Sequence, residues 1–150
     1  MRAVVQRVSV ASVSIGGEVH ARIGCGLLVL LGVESGDSED DLQWLCGKIA
    51  RMRIFPDAAG VMNLDLVQAS GDILLVSQFT LHASTAKGNR PSYIRAARPE
   101  EAIPLYERAK EVLSTATGRA VLCGVFGADM RVSLMNDGPV TIVVDSKLKE

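Results

Sequence analysis

Within four residues, Ser77-Gln78-Phe79-Thr80 places two hydroxyls and a carboxamide directly after the apolar run Ile73–Val76. At the rigid end of a buried strand, such groups can hold the negative charge that develops on an oxyanion. They would do so through side chains or through backbone N–H groups, and one such donor typically contributes about 3 kcal/mol to the transition state. Covalent catalysis by Ser77 or Thr80 would need a base within hydrogen-bond reach. His82 is the nearest imidazole, but it shares Thr80's face only if the strand continues that far. No G-x-S-x-G elbow is present either. A conventional triad is therefore not expected. Any one Ser or Thr commonly just ends a strand; the case for chemistry rests on three polar groups converging.

A second constellation is Asn136-Asp137-Gly138-Pro139-Val140-Thr141. Gly-Pro between two strands is ordinarily a plain turn. X-Pro is also the one bond that readily becomes cis. In that form the neighbouring carbonyls turn to one side, as two acceptors suited to an ammonium group and its α-carbon. A third feature is charge. From Ile73 to Pro99 there is no acidic residue, but there are Lys87, Arg90, Arg95 and Arg98. This local +4 contrasts with −5 over the remaining 12 basic and 17 acidic residues. A polyanion would be met by one face, with salt-sensitive affinity, although a basic loop by itself is more often solvated surface. Arg7 stands among apolar strand residues, either as an exposed edge charge or as an anchor for something polar.

The elements that must position these groups are mostly short strands. Residues 2–15 alternate, and Gly16-Gly17 turns them into a second strand, Glu18–Ile23. Leu27–Val33 is continuously apolar, hence a strand buried on both faces. Ser38 opens a helix with Glu39, Asp40 and Asp41 at its amino end and a stripe of Leu42, Leu45, Ile49 and Met52. Val61–Ala69 reads as a strand leading to Ser70-Gly71 and the central strand from Asp72. Residues 82–98 form a long connection, of the kind that is often functional. Pro99 opens a second helix, and Pro104 is expected to delay its true start. Its inner face is Leu105, Ala109, Val112 and Leu113, and Gly118 ends it. Strands at about Arg119–Val125, Met130–Met135 and Val140–Val144 close the chain, with Asn136–Pro139 separating the last two. The expectation is one α+β domain over residues 1–150: a largely antiparallel, barrel-like sheet with two amphipathic helices.

Composition is that of an ordinary globular chain, 48% hydrophobic and 22% charged. Cys25, Cys46 and Cys123 form no C-x-x-C pair, which argues for a reducing compartment. With only His20 and His82, no protein-bound metal is expected, and no cofactor. No apolar run reaches the length of a membrane span, so no membrane partner is expected and the chain reads as cytoplasmic.

Taken together, Gln6-Arg7-Val8, the run Gly26–Val33, Ser77–Leu81, Arg90-Pro91-Ser92, Phe126–Met130 and Asn136–Thr141 cover almost the whole chain. In this order the sequence closely resembles the D-aminoacyl-tRNA deacylase family of bacteria and eukaryotes. Tyr93 stands where that family usually has Phe, and His82 is a second small departure. The resemblance implies hydrolysis of the ester between a D-amino acid and the terminal ribose of tRNA, glycine included. It implies a homodimer in which a cis Gly138-Pro139 of one subunit enters the site built on Ser77, Gln78, Phe79 and Thr80 of the other. Arg7 would hold that motif, Asn136 and Met130 would belong to the substrate site, and Phe79 would help seat the terminal adenosine. Lys87, Arg90, Arg95 and Arg98 are candidates for tRNA phosphates, from charge alone. Three other readings compete. They are a non-catalytic RNA-binding module, a sister deacylase with a trans Gly-Pro, and a purely structural dimerisation protein. With 4% aromatics, little is available for a conventional RNA-recognition surface.

Overall fold

The computed structural model describes residues 1–149. Eight strands and two helices follow in the order β1 (Arg2–Ile15), β2 (Glu18–Ile23), β3 (Gly26–Gly32), α1 (Glu39–Arg51), β4 (Phe55–Pro56), β5 (Met62–Leu64), β6 (Asp72–Ser77), α2 (Pro99–Thr117), β7 (Leu122–Cys123) and β8 (Arg131–Asp145). The main sheet runs β2-β1-β3-β6-β7, with β8 along the other edge of β1. Strand β1 pairs antiparallel with β2, β3 and β8, whereas β3–β6 and β6–β7 are parallel. The sheet is mixed and nearly closes into a barrel.

Alternation on the central strands separates two cores. Leu27, Val29 and Leu31 of β3, with Ile73 and Leu75 of β6, face the helices. Leu28, Leu74 and Val76 point the other way, toward Val8, Ala11, Val13 and Ile23 inside the barrel. Two buried faces explain why β3 reads as an unbroken apolar run. On β1 the phase changes. Met1, Ala3 and Val5 belong to the helix-side core, while Ala11 and Val13 belong to the barrel interior. The register slips on either side of Val8, and each slip re-aims every later side chain.

Helix α1 begins as its sequence requires. The Ser38 hydroxyl accepts from the Asp41 amide and the Asp41 carboxylate accepts from the Ser38 amide. Helix α2 ends on Gly118 in the left-handed conformation, φ 67°.

Five expectations need correction. Residues 131–145 form one strand, not two, because β1 is long enough to pair with both halves. Only Met62–Leu64 of Val61–Ala69 is strand. Asp65 and Gln68 exchange side-chain-to-amide hydrogen bonds and wind the rest into a turn. Only Leu122–Cys123 of Arg119–Val125 pairs in the sheet. Pro104 lies inside α2 rather than delaying it: Pro99 already occupies the first turn, and Pro104 projects to solvent. The buried stripe of α2 is Ala102, Tyr106, Ala109, Leu113 and Thr117, so Leu105 and Val112 sit only at its margin. No described helix is long and apolar enough to cross a membrane.

Candidate active site

The strand that carries the polar residues stops at Ser77. Beyond it the chain does not stay extended: Phe79–His82 form a single 3-10 turn with Gln78 at its start. This turn separates Thr80 from His82. The His82 ring is fully buried, neither nitrogen has a hydrogen-bond partner, and Nδ1 lies 3.8 Å from Glu34 Oε2. Thr80 Oγ1 instead accepts a short hydrogen bond from the Gln78 amide. Among the described residues no base is hydrogen-bonded to Thr80.

Ser77, Gln78 and Phe79 line a pocket of about 320 Å³ at the carboxyl end of β3 and β6. Its walls are mostly apolar, with Leu31, Val33 and Val76 beside Tyr106 and Phe126, which meet edge-on at 5.8 Å; Asp129 is also in the lining. The Tyr106 hydroxyl donates to the Leu75 carbonyl at 3.0 Å and so fixes the ring. Met130 lines the same pocket. A Cβ on Gly124 would stand 2.4 Å from Met130 Sδ, so only glycine there lets the thioether take this place. Tyr106 and Phe126 were not singled out from the sequence as site residues. The signal was present in α2, where Ala102, Tyr106, Ala109 and Leu113 recur at helical spacing.

Arg7, Asn136, Gly138 and Pro139 line no part of that pocket. They build a separate feature. Gln6 pairs with Thr141 and Val8 with Asn136, so four residues, Asp137–Val140, bulge from β8 opposite the single residue Arg7. Arg7 is 9% exposed. Its Nε donates to the Asp137 carbonyl at 2.9 Å and lies 3.4 Å from the Asp137 carboxylate, and a terminal nitrogen donates to the Ile54 carbonyl. The guanidinium also lies against Gly138, where a Cβ would come within 3.0 Å of it. These contacts hold the guanidinium against the bulge, out of solvent. Asn136 ties the bulge's two ends together. Its Oδ1 accepts from the Val140 amide at 2.9 Å and its Nδ2 donates to Thr141 Oγ1 at 2.8 Å. The Gly138-Pro139 peptide is cis, and both residues are exposed at the tip.

The basic connection is ordered by its backbone. Ser84 and Ser92 exchange hydrogen bonds, Ser35 donates to the Arg95 carbonyl and Ala97 donates to the Val33 carbonyl. Lys87, Arg90 and Arg98 are exposed and form no salt bridge among the described residues, whereas Arg95 is paired with Glu34 at 2.6 Å. Of the four cations, Arg95 is therefore the one already committed. The described residues contain no cluster of three or more His, Cys, Asp or Glu side chains placed to hold a metal ion.

The chain is similar to known proteins over almost its whole length. A family model described as D-Tyr-tRNA(Tyr) deacylase matches residues 4–145. Proteins named D-aminoacyl-tRNA deacylase from Bacteroides thetaiotaomicron and Akkermansia muciniphila are 58% and 60% identical, each over all 150 residues and the whole of the relative. A solved structure titled c-Myc DNA Unwinding Element Binding Protein superposes with TM-score 0.91 at 40% identity, covering 97% of this chain and 98% of that one. A second, titled as a probable eukaryotic D-amino acid tRNA deacylase, has TM-score 0.83 at 18% identity over 96% of this chain and 98% of its own, a likeness of fold.

Proposed function

The chain belongs to the D-Tyr-tRNA(Tyr) deacylase family and is a hydrolase of the D-aminoacyl-tRNA ester bond, and we propose that it excludes L-substrates with main-chain oxygens lent by a second copy of itself. The observation that carries this is the separation of two half-sites. The pocket offers donors and a largely hydrophobic seat. The Asp137–Val140 bulge has an anchored base, exposes Gly138 and Pro139, and lines no part of that pocket. In a symmetric dimer each bulge fills the other's mouth, and a two-fold interface makes both exchanges equivalent. Strand β8 offers apolar surface for such pairing, with Met135 and Val143 both exposed.

In this reading the terminal adenosine occupies the apolar pocket beside Phe79. The partner's Gly138 and Pro139 carbonyls take the ammonium group and crowd the position where an L side chain would project. Glycine has no β-carbon, so glycyl-tRNA is also hydrolysed. Thr80 is not the nucleophile, because no base faces it. Water attacks the ester with help from the neighbouring ribose 2′-hydroxyl. The Gln78 amide and backbone N–H groups after β6 hold the oxyanion; one such donor is worth about 3 kcal/mol. Lys87, Arg90 and Arg98 meet tRNA phosphates, which makes affinity fall with salt. Cytoplasmic location follows from the substrate.

The test is deacylation of D-tyrosyl-, L-tyrosyl- and glycyl-tRNA at catalytic enzyme concentrations. Release of D-tyrosine and glycine with L-tyrosine spared supports the filter. Equal release from both enantiomers overturns it.

A further inference from the structure

An aromatic and aliphatic patch lies at the rim of the pocket, outside the groups that chemistry requires. Phe79 and Tyr93 meet edge-on, with ring centroids 5.2 Å apart. They are 55% and 41% exposed, and Ile94 beside them is 88% exposed. Leaving three large apolar side chains in water at one place is unfavourable unless something covers them. Their backbone is not loose. Ala96 donates to the Tyr93 carbonyl, Arg95 and Ala97 are tied to Ser35 and Val33, and Ser92 pairs with Ser84. The Glu34–Arg95 ion pair fastens the same turn. The patch is therefore presented by a fixed frame. Ala97, three residues beyond Ile94, already lines the pocket wall.

Charge indicates what covers it. The segment from Ile73 to Pro99 has no acidic residue, and Lys87, Arg90 and Arg98 are exposed and unpaired among the described residues. Exposed rings framed by free cations suit a ligand that alternates flat faces with phosphates, which is single-stranded nucleic acid. An apolar protein segment would use the rings but leave the cations idle.

We propose that Phe79, Tyr93 and Ile94 form a stacking platform for the unpaired nucleotide that precedes the terminal adenosine, with Arg90 and Arg98 holding the intervening phosphates. This rests on the pocket beside Phe79 receiving that adenosine. It adds to that reading a second point of contact, one that recognises an unpaired 3′ strand by stacking and is indifferent to which base it carries.

The experiment compares two esters of D-tyrosine, one on adenosine and one on a single-stranded trinucleotide ending in adenosine. Neither contains duplex RNA. The wild-type protein is expected to show the higher kcat/KM on the trinucleotide ester. Tyr93→Ala should lower the ratio of trinucleotide to adenosine kcat/KM on the order of 10-fold, the usual effect of losing one base–aromatic stack, and Ile94→Asp should lower it in the same direction. Ile94→Asp alters a side chain that is almost wholly in solvent, so it leaves the fold intact and keeps the test decisive. An unchanged ratio in both variants overturns the platform. So does dissociation of the Ile94→Asp protein where the wild type is a dimer, since the patch would then be a contact between copies. If the wild type cleaves neither ester, the adenosine-pocket reading itself has failed. If it cleaves both and the ratios do not move, only the platform has.

Discussion

Arg7 Nε donates to the carbonyl of Asp137 at 2.9 Å across 130 residues of sequence, from a strand position that is otherwise apolar. One buried guanidinium thereby supports a four-residue bulge for which the opposing strand supplies no other partner. Arg7→Met removes donors to two carbonyls and is expected to destabilise the fold by about 2 kcal/mol, the scale of hydrogen bonds from a charged donor. Arg7→Lys can reach one acceptor but not two, and should fall between. Chemical denaturation measures both. The discrimination between D- and L-tyrosyl-tRNA should fall in the same order.

Asn136 acts on the same bulge from within β8. Asn136→Ala loses two hydrogen bonds at a half-buried position, so stability should drop by about 1 kcal/mol. Catalysis should suffer more, because the exposed carbonyls lose their orientation. Asn136→Asp keeps the acceptor for the Val140 amide and can accept from the Thr141 hydroxyl. It should recover most of the kcat/KM on D-tyrosyl-tRNA. Equal losses in the two variants would contradict this assignment.

Thr80 receives a hydrogen bond from Gln78 and gives its proton to no base. Thr80→Ala is expected to keep deacylase activity within about 10-fold of wild type. Gln78→Ala should lose roughly 100-fold or more in kcat, the usual cost of an oxyanion donor. A loss in Thr80→Ala larger than that in Gln78→Ala, with the fold intact by circular dichroism, would make the hydroxyl the nucleophile.

Alkaline stability follows from two buried acids. Burial pushes the Cys46 thiol up from its ordinary value of 9.0 to about 12, and burial raises the Tyr106 phenol as well. The folded protein keeps protons that the unfolded chain releases. Their contribution is complete below the ordinary pKa and is lost as pH rises through the folded value. The melting temperature should therefore decline steadily from pH 9.0 toward 12. Each group adds up to about 1.4 kcal/mol per pH unit to the slope. In Cys46→Ala the decline over this range should be shallower whatever the change in absolute stability. Exposed Cys25 should react with a thiol reagent in the folded protein, and Cys46 only after unfolding.

Much of this architecture is legible in the chain because local and global preferences agree. The Ser38–Asp41 capping box, the Gly16-Gly17 hairpin and the two-faced apolar run of β3 each have one strong solution. The residues around Gly138-Pro139 do not. Turn chemistry permits either a hairpin or a bulge, and the choice is made elsewhere, by the length of β1 and by Arg7. The 3-10 turn after Ser77 was equally hidden, since nothing in Phe79-Thr80-Leu81-His82 forbids an extended chain. Tyr106 has regular helical spacing, but its place in the pocket depends on a contact distant in sequence, its hydroxyl donating to the Leu75 carbonyl.

The proposed exchange of the Asp137–Val140 bulge between copies is tested most directly by mixing equal amounts of two proteins that each lack one half-site. One carries Gln78→Ala with Phe79→Ala, which disables the pocket. The other carries Gly138→Ala, which forces a Cβ against Val140 and Arg7 at φ 137° and displaces the bulge. After subunit exchange, half of the dimers are mixed, and each mixed dimer has one site with an intact pocket and an intact partner bulge. Activity on D-tyrosyl-tRNA should return to about a quarter of the wild-type value in a symmetric dimer. If pocket and bulge act within one chain, no mixture contains a complete site, and activity stays at the level of the two variants assayed alone.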